Sequence, residues 1–493
     1  MTYRRAASWR TGLAVVMAVT GVVAVPAVQA SAAGPAAAAE LRDDFNGDGY
    51  ADLAVAAPEA TVDGKVKAGY VAVLYGTASG LSTTSKQVWT QNSAGVPDDA
   101  EAGDTFGSAV STADLDRDGY TDLVVGAAGE DNATADSGSV QVVWGGAQGL
   151  VGGATLTTGN SMWDSVGAAG NLAAGDFDGD GAPELVTVDD HWKLVVAKGP
   201  FGRDGAAGGG TGSVADGSDP RFMDMATGDV NGDGITDLVA AAHHGDEYDM
   251  RHIKVFKGTP NGLAEPRSVI GSDGYRLEGG ESLDLGDVNG DGIDDVVVGR
   301  PVDGYDSDVD IPLAVGGLIT YVPGTANGPD GTKAKLLNQD SAGIPGVAEN
   351  DDAFGTDVSV ADINGDGYAD VATGVPGEDY DGLSAAGSSV VLRGAAGGLS
   401  GTGARSFGQN DDGVPGTAES ADRFGGATRL LDVNHDGRAE LAVGAPGENT
   451  GAGSVWVFKP TSTGIATTGS ITFGHGTLGT VATGAKLGAG FAY

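Results

Sequence analysis

The chain has 493 residues, a formal net charge of −41 and no cysteine. That excess of acid argues against nucleic acid and anionic membrane surfaces as partners, and the absence of thiols excludes disulfides and thiolate metal sites. Glycine is abundant, at 87 residues, but it recurs in turns between short apolar runs, which points to a β fold rather than to disorder.

The N-terminus reads as an export signal. Arg4, Arg5 and Arg10 precede an apolar run from Thr11 to Val25, and small residues follow. This pattern predicts a signal peptide over residues 1–30, with cleavage after Ala30 or Ala33. The run is too short and poorly flanked for a permanent membrane span. A secreted, extracellular location and no membrane insertion are therefore expected. Residues 31–40 read as a short linker, and residues 41–493 as the folded domain.

From there one phrase, D-x-[DN]-x-D-G-x-x-[DE], occurs seven times, starting at Asp44, Asp114, Asp176, Asp229, Asp287, Asp362 and Asp432. Oxygens at positions one, three and five of a tight loop converge. Gly at position six permits the turn, position seven offers a carbonyl, and a carboxylate at position nine closes the set. The candidate ligands are Asp44, Asn46, Asp48, Tyr50 and Asp52 in loop one, and Asp114, Asp116, Asp118, Tyr120 and Asp122 in loop two. Loop three offers Asp176, Asp178, Asp180, Ala182 and Glu184, loop four Asp229, Asn231, Asp233, Ile235 and Asp237. Loop five offers Asp287, Asn289, Asp291, Ile293 and Asp295, loop six Asp362, Asn364, Asp366, Tyr368 and Asp370, and loop seven Asp432, Asn434, Asp436, Arg438 and Glu440. Many flexible oxygen ligands suit Ca2+ better than Mg2+, and up to seven Ca2+ ions are expected. Apolar strands follow the loops where an EF-hand would continue into a helix, so these are not EF-hands. Turn formation alone calls for one or two Asp or Asn residues. It does not call for carboxylates at positions one, five and nine in all seven copies.

Around each loop the elements recur in order. Phe106-Gly107, Phe354-Gly355, Phe424-Gly425 and the weaker Val166-Gly167 open a strand. The loop, an apolar strand, a Gly-Ala-Pro-like turn and a G-x-V-x-V strand follow, as in Gly69–Val73, Gly138–Val142 and Gly453–Val457. With Gly444-Ala445-Pro446 after loop seven, these units resemble FG-GAP repeats, found in integrin α chains and in many secreted bacterial proteins. The resemblance implies an all-β, seven-bladed β-propeller with calcium in its acidic loops. Units three to five depart from the pattern, with Val188-Asp189, Ala242-His243 and Gly299-Arg300-Pro301 at the turn. Loop one lacks a preceding FG strand, whereas Lys486–Tyr493 resembles an FG strand with no loop after it. The C-terminal strand is therefore expected to close the ring in blade one.

Three long inter-unit segments, Gln91–Thr105, Asn338–Ala353 and Gly408–Arg423, are expected on the face opposite the acidic loops. His243, His244, Asp246 and Glu247 form the compact polar cluster, read as a solvated turn, and no catalytic signature motif is present. The tryptophans read as core residues, with Trp192 beside His191 the least regular. The leading functional reading is a monomeric calcium-stabilised binding or adhesion module for an extracellular protein or glycan. An extracellular hydrolase or lyase on the same scaffold, or a cell-envelope structural protein without a discrete ligand, are the alternatives.

Overall fold

Six of the acidic loops are turns of antiparallel hairpins that form the inner half of a four-stranded sheet, and loop one leads directly into the second strand of its blade. The computed structural model describes residues 43–493 apart from 162–165, 190–192, 216–219, 245–250, 304, 307–310, 313–314 and 381. The expected signal peptide and linker lie outside the described residues, as do Trp163, His191, Trp192, Asp246, Glu247 and the side chain of His244.

Among the described residues there are seven four-stranded sheets, one per acidic loop. Blade seven shows the plan: Ala427–Leu431 is innermost, then Glu440–Ala445, Ser454–Thr461 and Gly464–Gly474 outward, all antiparallel. Second strands are buried along their length, as in Leu53–Ala57 and Asp295–Arg300, with apolar centres, because both faces of a blade are covered by its neighbours. Accordingly the buried side chains sort into seven clusters, each drawn from two adjacent blades. Blades three to five keep four strands despite their altered turns, although the outer strand of blade four shrinks to Arg267–Ser268. No helix among the described residues is long and apolar enough to cross a membrane.

The FG and GAP glycines have a shared steric reason. A Cβ on Gly444 would meet the Gly488 carbonyl oxygen at 2.0 Å, and one on Gly374 would meet that of Gly425 at 1.9 Å. Gly126 and Gly299 meet Gly167 and Gly355 in the same way. Neighbouring blades thus approach backbone to backbone at these points, and any side chain would push them apart.

The ring closes as expected. Gly490–Phe491 pairs antiparallel with Leu53–Ala57, so blade one has three strands from the start of the domain and its inner strand from the end. Leu487 and Phe491 are buried in the cluster between blades seven and one. Deleting Lys486–Tyr493 should cost roughly 3–6 kcal/mol from these two side chains alone, expose the edge of Leu53–Ala57 and enlarge the molecule. Calorimetry and sedimentation velocity read both effects, and an unchanged melting temperature and size would refute closure.

Candidate metal centre

All seven loops share one internal geometry. The position-one carboxylate turns inward and accepts the N–H of the position-six glycine, at 2.8 Å for Asp44 and Gly49 and 2.9 Å for Asp362 and Gly367. That glycine has φ between +82° and +90° in every loop, where a side chain would be strained. The position-five carboxylate accepts the N–H of position seven, at 2.9–3.1 Å across the seven loops.

Position nine is different, being at the start of the second strand and at most 4% exposed in every copy. In loop one, Asp52 accepts the N–H of Phe45 through Oδ2 and that of Gly76 through Oδ1, both at 2.9 Å. The second bond reaches the glycine after the third strand. Asp122, Asp237, Asp295 and Asp370 repeat it with Gly145, Gly258, Gly324 and Gly394. Burial pushes these groups up, Asp52 to about 8, Asp122, Glu184 and Glu440 to about 7 and Asp295 to about 6. Asp237 and Asp370 rise for the same reason. Other carboxylates of the same loop add to the rise in six copies, loop six being the exception.

The donors fit a hard cation. Asp114, Asp116 and Asp122 bring three carboxylates within 4.8 Å of one another, as do Asp176, Asp178 and Glu184. Asp178 Oδ1 is buried without a hydrogen-bond partner. The other five loops carry Asn at position three. Asn289 and Asn364 turn Nδ2 towards the position-nine carboxylate, at 2.9 and 3.2 Å. Several loops also carry a cation of their own. Lys198 pairs with Asp178 and Lys257 with Asp233, each at 2.8 Å, while Arg203 meets Asp116 and Asp118. In loop six the Arg393 guanidinium lies 2.9 Å from the fully buried Asp370.

Sequence reasoning missed a second polar system, around the central channel. Inner-strand acids accept the N–H of the next blade: Asp224 from Leu283 at 2.8 Å, Asp284 from Val360 at 2.7 Å and Asp357 from Thr428 at 2.7 Å. Tyr493 adds its hydroxyl to the Thr428 carbonyl at 2.6 Å, and its ring lies 4.5 Å from the Arg429 guanidinium. Arg429 in turn binds Asp43 at 3.0 Å. The available signal was weak: Asp224 and Asp357 stand five residues before their loops, but Asp284 stands three before. The channel cavity that these side chains line measures about 380 Å3. Of the tryptophans, Trp89, Trp144 and Trp456 are buried as expected.

Together the ring of blades and the acidic loops define a class, the seven-bladed β-propeller with Asp-rich loops. The chain carries FG-GAP repeats: the FG-GAP repeat family matches residues 41–74, 106–143, 354–392 and 424–458, and an FG-GAP-like repeat matches 229–298. It is homologous to integrin α chains, with 29% identity over 248 residues to integrin alpha pat-2 of Caenorhabditis briggsae and 27% over 237 to mouse integrin alpha-8. These matches cover 48% of this chain and 18% and 20% of the relatives. Bovine phosphatidylinositol-glycan-specific phospholipase D is 33% identical over 145 residues, 29% of this chain and 17% of that enzyme. The chain thus spans a fifth or less of the length of these relatives.

Two outcomes follow. Asp122→Ala leaves the Leu115 and Gly145 N–H groups buried and unpaired, which costs about 2–5 kcal/mol. Urea unfolding should show that loss even in excess chelator, because the clamp is backbone-directed. The second concerns pH. Burial raises Asp224 to about 7, against about 4 in an unfolded chain. Between those values the folded chain holds a proton that the unfolded chain has released, so this group's stabilisation declines as pH rises through the window and is level above it. The stability of Asp224→Asn relative to the native chain should rise from pH 4 to 7 and then stay constant. An equal difference at pH 5 and 8 would contradict this.

Proposed function

We propose that the chain is an exported, calcium-stabilised propeller that binds an extracellular protein or a glycan through the loops opposite its acidic hairpin turns. One observation carries the reading. The long connections 91–105, 338–353 and 408–423 occupy the junctions between blades one and two, five and six, and six and seven, on one side of the ring. Each is fastened at its base, leaving exposed tips such as Val347, 67% exposed, on a rigid support. The N-terminal leader supports export, and the integrin relatives support a binding role.

Calcium would be held by positions one, three, five and nine and the position-seven carbonyl. When bound, it supplies the positive charge that the buried position-nine carboxylates lack. If free Ca2+ is about 1–10 times Kd, each loop gains roughly 0.4–1.4 kcal/mol. Seven independent loops then gain about 3–10 kcal/mol, the size of a whole domain's net stability. Chelation should therefore lower the melting temperature by many degrees, and excess Ca2+ should restore it. An unchanged melting temperature ends the calcium reading. For the partner, a glycan and matrix-protein array probed with the mature chain should give binding that Val347→Asp weakens without altering the melting temperature. An array without signal counts against the binding reading.

A further inference from the structure

The face opposite the acidic loops carries a repeated constellation of its own. Gln91, Asp104 and Glu130 stand at one junction, Gln339, Asp352 and Glu378 at a second, and Gln409, Asp422 and Glu448 at a third. The spacing is the same each time, with the Gln and Glu 39 residues apart. The Gln begins the long connection, the Asp ends it, and the Glu follows the GAP turn of the next blade. Backbone bonds fix the Asp to that turn: Gly129, Gly377 and Gly447 each donate to the carbonyl of Asp104, Asp352 and Asp422 at 3.0 Å.

The side chains are held tightly but incompletely. Gln339 Nε2 donates to Glu378 at 2.6 Å and Gln409 Nε2 to Glu448 at 2.7 Å, and Gln91 contacts Glu130 likewise. The three glutamines are 1%, 4% and 1% exposed, and the Oε1 of every one is buried without a hydrogen-bond partner. Turning the amides over would set Oε1 against a carboxylate and orphan Nε2 instead. Asp104, Asp352 and Asp422 are at most 2% exposed. Among the described residues no Lys or Arg forms an ion pair with these acids, and Glu101, Glu349 and Glu419 add further negative charge beside them. Burial, reinforced by those neighbours, pushes Glu130 and Glu448 up to about 7 and Asp352 to about 6.

The junction between blades seven and one shows the alternative solution. There Ala60 takes the place of the Glu, with Gly69 N–H on its carbonyl as Gly138 is on that of Glu130. The adjacent Glu59 is neutralised by Lys486 at 2.6 Å and Lys67 at 3.2 Å. At this junction, where ammonium groups are present, the Gln-Asp-Glu set is missing. Where that set is present, the Gln Oε1 is buried and unpartnered beside a Glu that its own Nε2 holds, and no Lys or Arg among the described residues pairs with either acid.

We propose that these three junctions are a second tier of Ca2+ sites, each taking the ion on the Gln Oε1 and on the Asp and Glu carboxylates. An all-oxygen set with two acids and one neutral carbonyl is the chemistry of a hard divalent cation. At the second junction a cleft of about 560 Å3, lined by Glu349, Asp352 and Asp379 together with Arg423, reaches the Asp352 member of the set from solvent. Such ions would lock the base of each long connection to the next blade, coupling calcium to the binding face itself.

Native mass spectrometry of the full chain in calcium counts the ions directly. The triple variant Glu130→Gln, Glu378→Gln, Glu448→Gln should hold three fewer than the native chain. An undiminished count overturns the second tier while leaving the loop ions, counted as the remainder, untouched. Should the triple variant fail to fold, anomalous scattering from calcium in crystals of the native chain decides. Peaks about 2.3–2.6 Å from Gln339 Oε1 and its two equivalents support the sites. Peaks at the acidic loops alone, with a proton as the only counter-charge at the junctions, refute them.

Discussion

The propeller depends on a carboxylate that cannot be placed anywhere else. At position nine of each acidic loop an Asp or Glu enters the second strand, is almost wholly buried, and accepts backbone N–H groups of its own blade. In the five Asp loops other than loop three and loop seven it ties the turn between strands one and two to the end of strand three. The inner hairpin that it braces is packed between the neighbouring blades on both faces. The clamp fixes that hairpin, at the cost of desolvating an anion. A cation at the mouth of the loop is the natural complement, because it stabilises the same charge that the clamp requires. The structural role and the proposed metal role would thus be one electrostatic problem solved from two sides.

Loop six shows how far that logic extends. Arg393 reaches the buried Asp370 from the third strand and also donates to the Thr463 carbonyl of blade seven. The guanidinium supplies permanently the positive charge that the proposed calcium would supply in the other loops, and it joins two blades while doing so. Lys198 and Lys257 pair directly with Asp178 and Asp233 and reach the buried Glu184 and Asp237 only at longer range, so from their partly exposed positions they neutralise the position-nine group weakly. Loops with the same nine-residue phrase therefore differ in their need for metal according to a residue some 20 positions later in the chain.

Much of this was legible in the order of residues. The seven loops, the FG and GAP glycines and the spare terminal strand each have a local cause: a turn needing φ > 0, a backbone contact with no room for Cβ, an unpaired edge. Those causes act within a few residues, so the phrase shows them. What stayed hidden acts between blades. Asp224, Asp284 and Asp357 look like any other acid in a chain with 68 of them, and only the closed ring brings each to the backbone of the next inner strand. Gln91, Gln339 and Gln409 read as loop residues, though their separation from Glu130, Glu378 and Glu448 was constant and could have been noticed. The altered turns of units three to five suggested irregular blades. Interblade burial proved the stronger constraint, and four strands form in each.

The two faces consequently differ in kind rather than in degree. On one, seven similar loops of short reach spend their position-one and position-five carboxylates on their own backbone N–H groups. Their side chains are occupied with shaping the loop and leave little to offer a large partner. On the other, three long connections differ from one another at their exposed tips while sharing buried bases. Constant bases with variable tips are what a scaffold needs if recognition is to change while the fold does not. The acidic phrases therefore account for the frame, and whatever selectivity the molecule has must reside in the residues that the repeat does not repeat.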